Sequence, residues 1–179
     1  MKPEFEREDL LRARLGDRGS FRRLAESLSR YVFNLAYRMT WNRSDAEDLT
    51  QEIFLRLFQN LEKYDPELPF LPWFRRMATN CAINWKERVA NRKKISIESV
   101  EPPSVEDPAP AEANVRLQKA IGELPGDQQA CITLHYMEGL GVQEIGETLK
   151  VPVGTVKTWL YRARDFLKIR LKPYVEQMK

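Results

Sequence analysis

Histidine and cysteine are almost missing from this sequence: one His and two Cys in 179 residues. Cys81 and Cys131 lie far apart, each inside a helical apolar pattern, so neither a disulfide framework nor a CxxC metal site can be assembled. They read as core thiols of a protein kept in a reducing cytoplasm. His135 stands alone, without the partners that a nucleophilic or HExxH-type site requires, and the eight glycines are scattered rather than gathered into a phosphate-cradling loop. An enzyme would have to be built on carboxylates alone, and those look superficial. No enzyme, cofactor, metal or small-molecule substrate is expected.

Long apolar runs are also lacking, so nothing is long enough to span a bilayer. The N-terminal MKPEFEREDLLRARLGD is charged throughout and has no signal-peptide core. No repeat recurs at a solenoid period, and no stretch alternates with period two for long, which excludes a sheet.

What is present is charge in blocks. The net +3 resolves into 19 Lys/Arg against 14 Asp/Glu over residues 1–94, five acids and no base over 95–115, and ten against seven over 116–179. Two basic blocks suit a polyanionic partner, weakly on their own. The acidic stretch ISIESVEPPSVEDPAPAEANV carries prolines at 102, 103, 108 and 110, so residues 95–112 are expected to form an extended linker, either a plain tether or a mimic of nucleic acid. The expected organisation is all-α, with one helical domain over 1–94 and a second over 113–179.

Helical spacing supports this division. Phe21, Leu24, Ala25, Leu28, Val32, Leu35, Ala36 and Met39 step by threes and fours. Ser44 and Glu47 have the spacing of a capping box, opening a helix with Leu49, Ile53, Phe54, Leu57 and Leu61 on one face. A third long helix is expected from near Pro72, with Phe74, Met77, Cys81, Trp85 and Val89 inward. Beyond the linker, Leu117, Ala120, Ile121 and Leu124 mark a helix stopped at Pro125-Gly126, and Asp127 is placed to cap its successor. A short helix, VQEIGETLK, then turns through VPVG into a last helix capped by Thr155, with Val156, Leu160, Ala163 and Leu167 buried.

Three surfaces are not needed by the cores. On the last helix, Lys157, Thr158, Tyr161, Arg162 and Asp165 lie opposite the buried stripe. They form either a solvated basic face or a helix-turn-helix reader for the major groove, whose amides near Val153 to Val156 could meet a phosphate. On the third helix, Trp73, Arg76, Asn80 and Asn84 form a row of ring, guanidinium and amides. Either they are equipment for unpaired bases, which stack on rings and offer edges to amides, or Trp73 is half-buried and the asparagines are filler. On the second helix, Asp45, Asp48 and Glu52, with Gln51 beside them, are either an ordinary solvated face or one that an arginine-bearing partner would neutralise.

The segments DAEDLTQEIFLRLF (45–58), PWFRRMATNCAINWKERVANRKK (72–94), LPGDQQACITLHYMEGLGVQEIGETL (124–149) and VPVGTVKTWLYRARDFL (151–167) together resemble the extracytoplasmic function group of bacterial sigma factors, in order and over nearly the whole chain. The resemblance implies two helical domains, sigma-two and sigma-four, that bind core RNA polymerase and direct it to promoters. It further implies that Asp45, Asp48, Gln51, Glu52 and Phe54 dock on the largest polymerase subunit. Tyr64 to Pro69 and Asn80 would surround a flipped -10 base, with Trp73, Arg76 and Asn84 along the melted strand. Thr155, Lys157, Thr158, Tyr161 and Arg162 would read the -35 duplex. The linker would run toward the RNA exit channel, and an anti-sigma factor would be a further partner.

The chain departs from the common pattern at Gly141, where Ser usually caps the first reader helix, at Gly146 in place of alanine, and at Trp159 in place of arginine. Gly146 is expected to loosen its helix by about 1 kcal/mol, and Trp159 to pack on the domain. The short tail leads us to expect no added regulatory domain. Two rivals remain at this stage. A stand-alone regulator leaves the Trp73 row unused and needs a dimer seam that is not seen; a protein-only adaptor leaves the reader face unexplained.

Overall fold

The computed structural model describes residues 3–95 and 112–177. The linker expected over 95–112 lies outside them, apart from its two end residues. Among the described residues every regular element is helical: α1 (Arg7–Arg14), α2 (Arg18–Thr40), α3 (Arg43–Asn60) with a 3₁₀ turn at Leu61–Lys63, α4 (Phe70–Ile95), α5 (Glu112–Gly122), α6 (Gly126–Ile132) running into a π turn at Thr133–Met137, α7 (Val142–Leu149) and α8 (Val153–Gln177). None is long and apolar enough to cross a membrane.

Helix boundaries follow local chemistry. Asp17 caps α2 by accepting from the Ser20 amide at 2.6 Å. Its carboxyl is held below the usual range, chiefly by that bond. The cap of α3 is Asn42 and not the expected Ser44: the Asn42 side chain accepts from Asp45 N at 2.9 Å. Glu47 turns to Arg43 at 3.1 Å instead of reaching back to close a box. The shift arises because α2 ends on Trp41 in the left-handed region (φ 53°), which leaves Asn42 extended at the corner. Similarly, α4 starts at Phe70, so Pro72 sits within its first turn, where its missing N–H has no intrahelical partner to lose. Helix α6 starts at Gly126 with Asp127 inside its first turn, making no side-chain cap. Thr155 lies within the first turn of α8, its amide bonded to Pro152 O at 2.9 Å.

Two buried clusters organise the helices. Leu24, Leu28, Val32 and Leu35 of α2 pack with Leu49, Ile53 and Leu57 of α3 and Phe74, Ala78 and Cys81 of α4. Ile121, Leu124, Cys131, Ile132, Leu134, Ile145, Val156, Leu160 and Ala163 form the second. The expected inward stripe of α4 is only partly right: Phe74 and Cys81 are fully buried, whereas Met77, Trp85 and Val89 are half-buried. The reason is that α4 is covered from two sides. Ala78, Ala82 and Ile83 are buried as well, and a Cβ placed on Gly126 of α6 would lie 3.4 Å from Ile83 Cγ2.

The two clusters meet along a polar seam. Lys86 of α4 donates to Gly122 O (3.0 Å) and Leu124 O (2.6 Å) at the end of α5, and to the Gln129 side-chain oxygen. The Gln129 amide nitrogen donates to Arg38 O (2.9 Å) and Met39 O (3.1 Å) at the end of α2. Arg38 pairs with Glu138 at 2.5 Å. Apolar contacts cross here too: Ala130 of α6 lies in the first cluster, and Trp41 packs on the second.

The corner at Trp41-Asn42 sets the angle between α2 and α3. Asn42→Ala should lower stability by about 1 kcal/mol, the usual cost of losing an N-cap, read as a lower urea midpoint with unchanged slope.

Candidate nucleic-acid and protein interfaces

Helices α7 and α8 form the bihelical unit, and the close approach between them depends on a glycine. The chain leaves α7 through Lys150 in the left-handed region (φ 56°), and Val151 N returns to Gly146 O at 3.0 Å. A Cβ on Gly146 would lie 2.9 Å from the Val151 carbonyl oxygen, a backbone atom that cannot step aside. The expectation that Gly146 merely loosens its helix is therefore corrected: its bare Cα lets the turn pack. At the other end of α7 half a capping box exists. The Glu144 carboxylate accepts from Gly141 N at 2.9 Å, while glycine has no side chain to return the bond.

This turn presents α8. Lys157, Thr158, Tyr161 and Arg162 are all exposed on one face, Tyr161 to 66%, opposite buried Val156, Leu160 and Ala163. Thr155 is half-buried, and the Thr158 hydroxyl donates to Gly154 O at 2.9 Å. The outward chemistry of the face is thus two cations and a ring. Trp159 lies off the face and packs on the second cluster.

In the first cluster, the α4 row divides. Trp73 is half-buried, with its ring 5.2 Å from Tyr64 and 5.9 Å from Phe70. Arg76 and Asn80 are half-buried and Asn84 is exposed. Tyr64 departs from its expected place beside a DNA base: it is 3% exposed, and its hydroxyl donates to Leu68 O. Arg14 of α1 donates to Tyr64 O at 2.8 Å. Burial raises the Tyr64 pKa, so the phenol stays neutral and donating. Its ring is a pillar under the loop, and the loop residues Asp65, Glu67, Leu68 and Pro69 are what solvent meets.

On α3 the acidic face proves to be mixed. Asp48 and Gln51 are exposed in line with Leu55 (56%) and Phe58 (52%), at helical steps of three and four. Phe58 also meets Phe21 edge-on at 5.0 Å. Leu55 and Phe58 were missed in the sequence, although apolar residues lying off the buried stripe were the available signal. Asp45 and Phe54 are half-buried. Glu52 is engaged, paired with Arg56 at 3.3 Å and with Arg88 of α4. Burial works to raise its pKa, but the hydrogen bond and charge of Arg88, with smaller help from Cys81 and Arg56, outweigh it and hold the carboxyl below its ordinary value.

A further feature unread from sequence is an apolar groove of about 770 Å³ between α5, α6 and α8, floored by Leu117, Ile121, Ile132, Met137 and Leu167.

Comparisons with known proteins agree with this geometry. The family described as "Sigma-70 region 2" matches residues 24–92, and "Sigma-70, region 4" matches residues 114–167. The chain is 32% identical over 174 residues to the ECF RNA polymerase sigma factor SigW of Bacillus subtilis, covering 88% of this chain and 91% of that one. It is 37% identical over 147 residues to the ECF RNA polymerase sigma factor SigE of Mycolicibacterium smegmatis, covering 76% of this chain but only 56% of that longer protein. Among solved structures, CnrH in complex with the cytosolic domain of CnrY superposes with a TM-score of 0.65 at 21% identity, over 93% of this chain and 97% of that one. The sigma factor RpoE in complex with the anti-sigma factor NepR, from Bartonella quintana, gives 0.60 at 20% identity, over 79% and 90%. At that identity the two structures speak for the fold.

Two substitutions test the site's construction. Gly146→Ala gains helix propensity of about 1 kcal/mol, but it forces a Cβ against backbone, an overpacking that costs about 1–3 kcal/mol. The variant should melt at a lower temperature than the parent, and a higher melting temperature would refute the close-approach argument. Arg88→Met should raise the Glu52 pKa, because burial then acts with less opposition. With its carboxyl held low, the parent keeps this contribution above the unfolded carboxylate pKa and loses it as pH falls through the folded value. In the variant the carboxyl should titrate at higher pH, so that the contribution is smaller and its loss is complete at higher pH, as read by carboxyl-carbon NMR titration.

Proposed function

The chain belongs to the extracytoplasmic function group of RNA polymerase sigma factors, and from that premise we propose how its surfaces divide the work of a transcription initiation factor. Residues 1–94 form the unit that docks on core polymerase and holds the -10 strand. Residues 95–112 form the connection toward the RNA exit channel, and 113–179 form the unit that reads the -35 duplex. The observation that carries the reading is the pairing of a bihelical reader with a ring-guanidinium-amide row on a different helix, because a promoter must be gripped as duplex at one place and as single strand at another.

In the reader, Lys157 and Arg162 carry charge to phosphates and guanine edges, and Tyr161 supplies a ring for a thymine methyl. Thr158 already spends its proton within the helix and retains an acceptor, and Thr155 helps to aim the first turn. On α4, Trp73 offers the exposed part of its ring to a base, Arg76 meets the strand, and Asn80 and Asn84 bond base edges. Tyr64 acts indirectly, by fixing the loop whose exposed residues edge the base site. Stacking and amide contacts of this kind, worth about 1–3 kcal/mol per stacked base, can offset an unpairing cost of a few kcal/mol, so opening the promoter needs no catalysis by this chain.

The docking surface for core polymerase is the α3 stripe of Asp48, Gln51, Leu55 and Phe58, with Asp45 and Phe54 at its margin. Glu52 braces α3 against α4. The chain works in the cytoplasm, and an anti-sigma factor is a further partner. Supporting this last point, both solved relatives above were captured with a partner protein, in one case a named anti-sigma factor.

The test is in vitro transcription with purified bacterial core polymerase on a genomic fragment library. New start sites sharing two spaced upstream motifs are expected, and Lys157→Ala with Arg162→Ala should reduce their yield at least tenfold without loss of co-elution with core. Absence of both new starts and co-elution would overturn the reading.

A further inference from the structure

Helix α1 carries none of the three surfaces, yet the contacts it makes beyond α2 converge on the loop between α3 and α4. From a half-buried position, Arg14 donates through Nε to Tyr64 O at 2.8 Å. Arg7 reaches Pro66 O at 3.5 Å, a long and exposed contact. Just ahead of the helix, the Phe5 ring meets Phe70 edge-on at 5.1 Å. Residues 64, 66 and 70 are thus each touched from this one short segment, at sequence separations of 50 and more.

The loop needs such support because it has little of its own. Within it Glu67 N donates to Asp65 Oδ1 at 3.0 Å, and Leu68 N donates to Asp65 O at 3.1 Å. Pro66 and Pro69 bring no N–H, and Asp65, Glu67, Leu68 and Pro69 all face solvent. The closest ties of the loop to the body of the protein both pass through Tyr64. Its hydroxyl donates to Leu68 O, and its carbonyl receives Arg14. Tyr64 therefore pins the far side of the loop, and Arg14 pins Tyr64.

Behind Arg14 the helix is itself fastened. Arg23 of α2 grips the Asp9 carboxylate through Nε (2.9 and 3.0 Å) and Nη2 (2.6 Å). Those bonds hold the Asp9 carboxyl below its ordinary range. Leu10 and Ala13 on the same helix are buried in the first cluster. The placement of α1 on α2 is passed to the loop through one guanidinium.

We propose that Arg14 is a positioning residue for the -10 base site. Through the Tyr64 carbonyl it sets where residues 65–69 meet a base turned out of the strand, and so how sharply that base is chosen. This rests on the reading of the loop and α4 as the strand-holding surface, and adds a residue from an element outside that surface. A site discriminates only when its groups are held within about 0.5 Å of the productive geometry. The two hydrogen bonds inside the loop fix its turn, but its place against α4 is what Arg14 supplies. The rival role for such an arginine is contact with a strand phosphate, which carries no sequence information.

Arg14→Met, which keeps the aliphatic stem, and Arg14→Lys, which keeps a cationic donor, separate the two roles. Holoenzyme assembled from core polymerase and each full-length protein is offered a pool of randomised single-stranded DNA. Bound strands are sequenced and compared with those taken by core alone. The parent should favour one base at a defined position of the strand. In Arg14→Met that preference should fall about fivefold, the effect of losing one good hydrogen bond, while preferences elsewhere in the strand and co-elution with core hold. Arg14→Lys should recover most of it. Ratios among strands do not depend on how much of a variant is folded, so a merely weakened fold leaves the profile unchanged and overturns the proposal. Uniform weakening of all strands, with a salt slope smaller by about 1, assigns Arg14 to a phosphate and overturns it as well. In the free protein, the amides of Glu67 and Leu68 should exchange with solvent several-fold faster in Arg14→Met, with α3 amides at the parent rate. Unchanged exchange sinks the support of the loop by Arg14, whatever the polymerase assay shows. Should the parent show no base preference beyond that of core, the strand-holding reading falls and takes the base-site role with it, while the exchange rates still decide whether Arg14 holds the loop.

Discussion

The side chain of Gln129 is the point on which the described arrangement turns. It is an uncharged amide at full burial, a placement that costs several kcal/mol unless each polar atom finds a partner. Here its two donors close the last carbonyls of α2 and its oxygen receives Lys86 from α4. One residue of α6 thereby fixes the end of α2 and a residue inside α4, both from the other half of the chain. The ordering of Trp41 follows from the same place. Its left-handed backbone at the end of α2 is unusual for a bulky residue, and it is held where the indole packs against the second cluster, with Gly122 leaving room beside the ring.

The periodic features were legible in the sequence. The eight apolar positions of α2 and the inward face of α8 follow a simple 3.6-residue rhythm, and burial rewards that rhythm directly. The all-helical class, the two apolar groupings and the exposed face of Lys157, Thr158, Tyr161 and Arg162 could be read for the same reason. Helix starts were less legible, because a cap depends on the backbone angles of its own residue. Ser44, Asp127 and Thr155 are sound capping residues by type, yet Trp41 in the left-handed region moves the cap of α3 to Asn42, and Pro125 and Pro152 begin α6 and α8 earlier. Asn42 and Asp17 carried a readable signal in residue type; what selects them is tertiary.

The differences between the expected and the observed placement of site residues share one cause, which is contact between segments distant in sequence. Tyr64 has an attractive ring for a base, but α1 and the start of α4 close over it. Glu52 belongs by spacing with Asp45 and Asp48, yet Arg88, 36 residues away, draws it aside. Leu55 and Phe58 take the open place on that face. Gly146 shows the limit of propensity arguments most clearly: a scale assigns glycine a penalty, while a backbone oxygen 2.9 Å from the missing Cβ makes it the residue that fits.

The two nucleic-acid faces differ in how they stand before any partner arrives. The basic face of α8 is in solvent, whereas Asn80 and Asn84 of α4 line a cleft of about 400 Å³ that also holds Glu87, Asp127 and Trp159. Stacking platforms accept any unpaired base, and single-stranded RNA offers such bases throughout a cell. An open row would therefore be occupied by transcripts in proportion to their abundance. Carboxylates lining the cleft beside Asn80 and Asn84 work against such a polyanion, so the neighbours of the row bias it against stray transcripts without any recognition of the sugar.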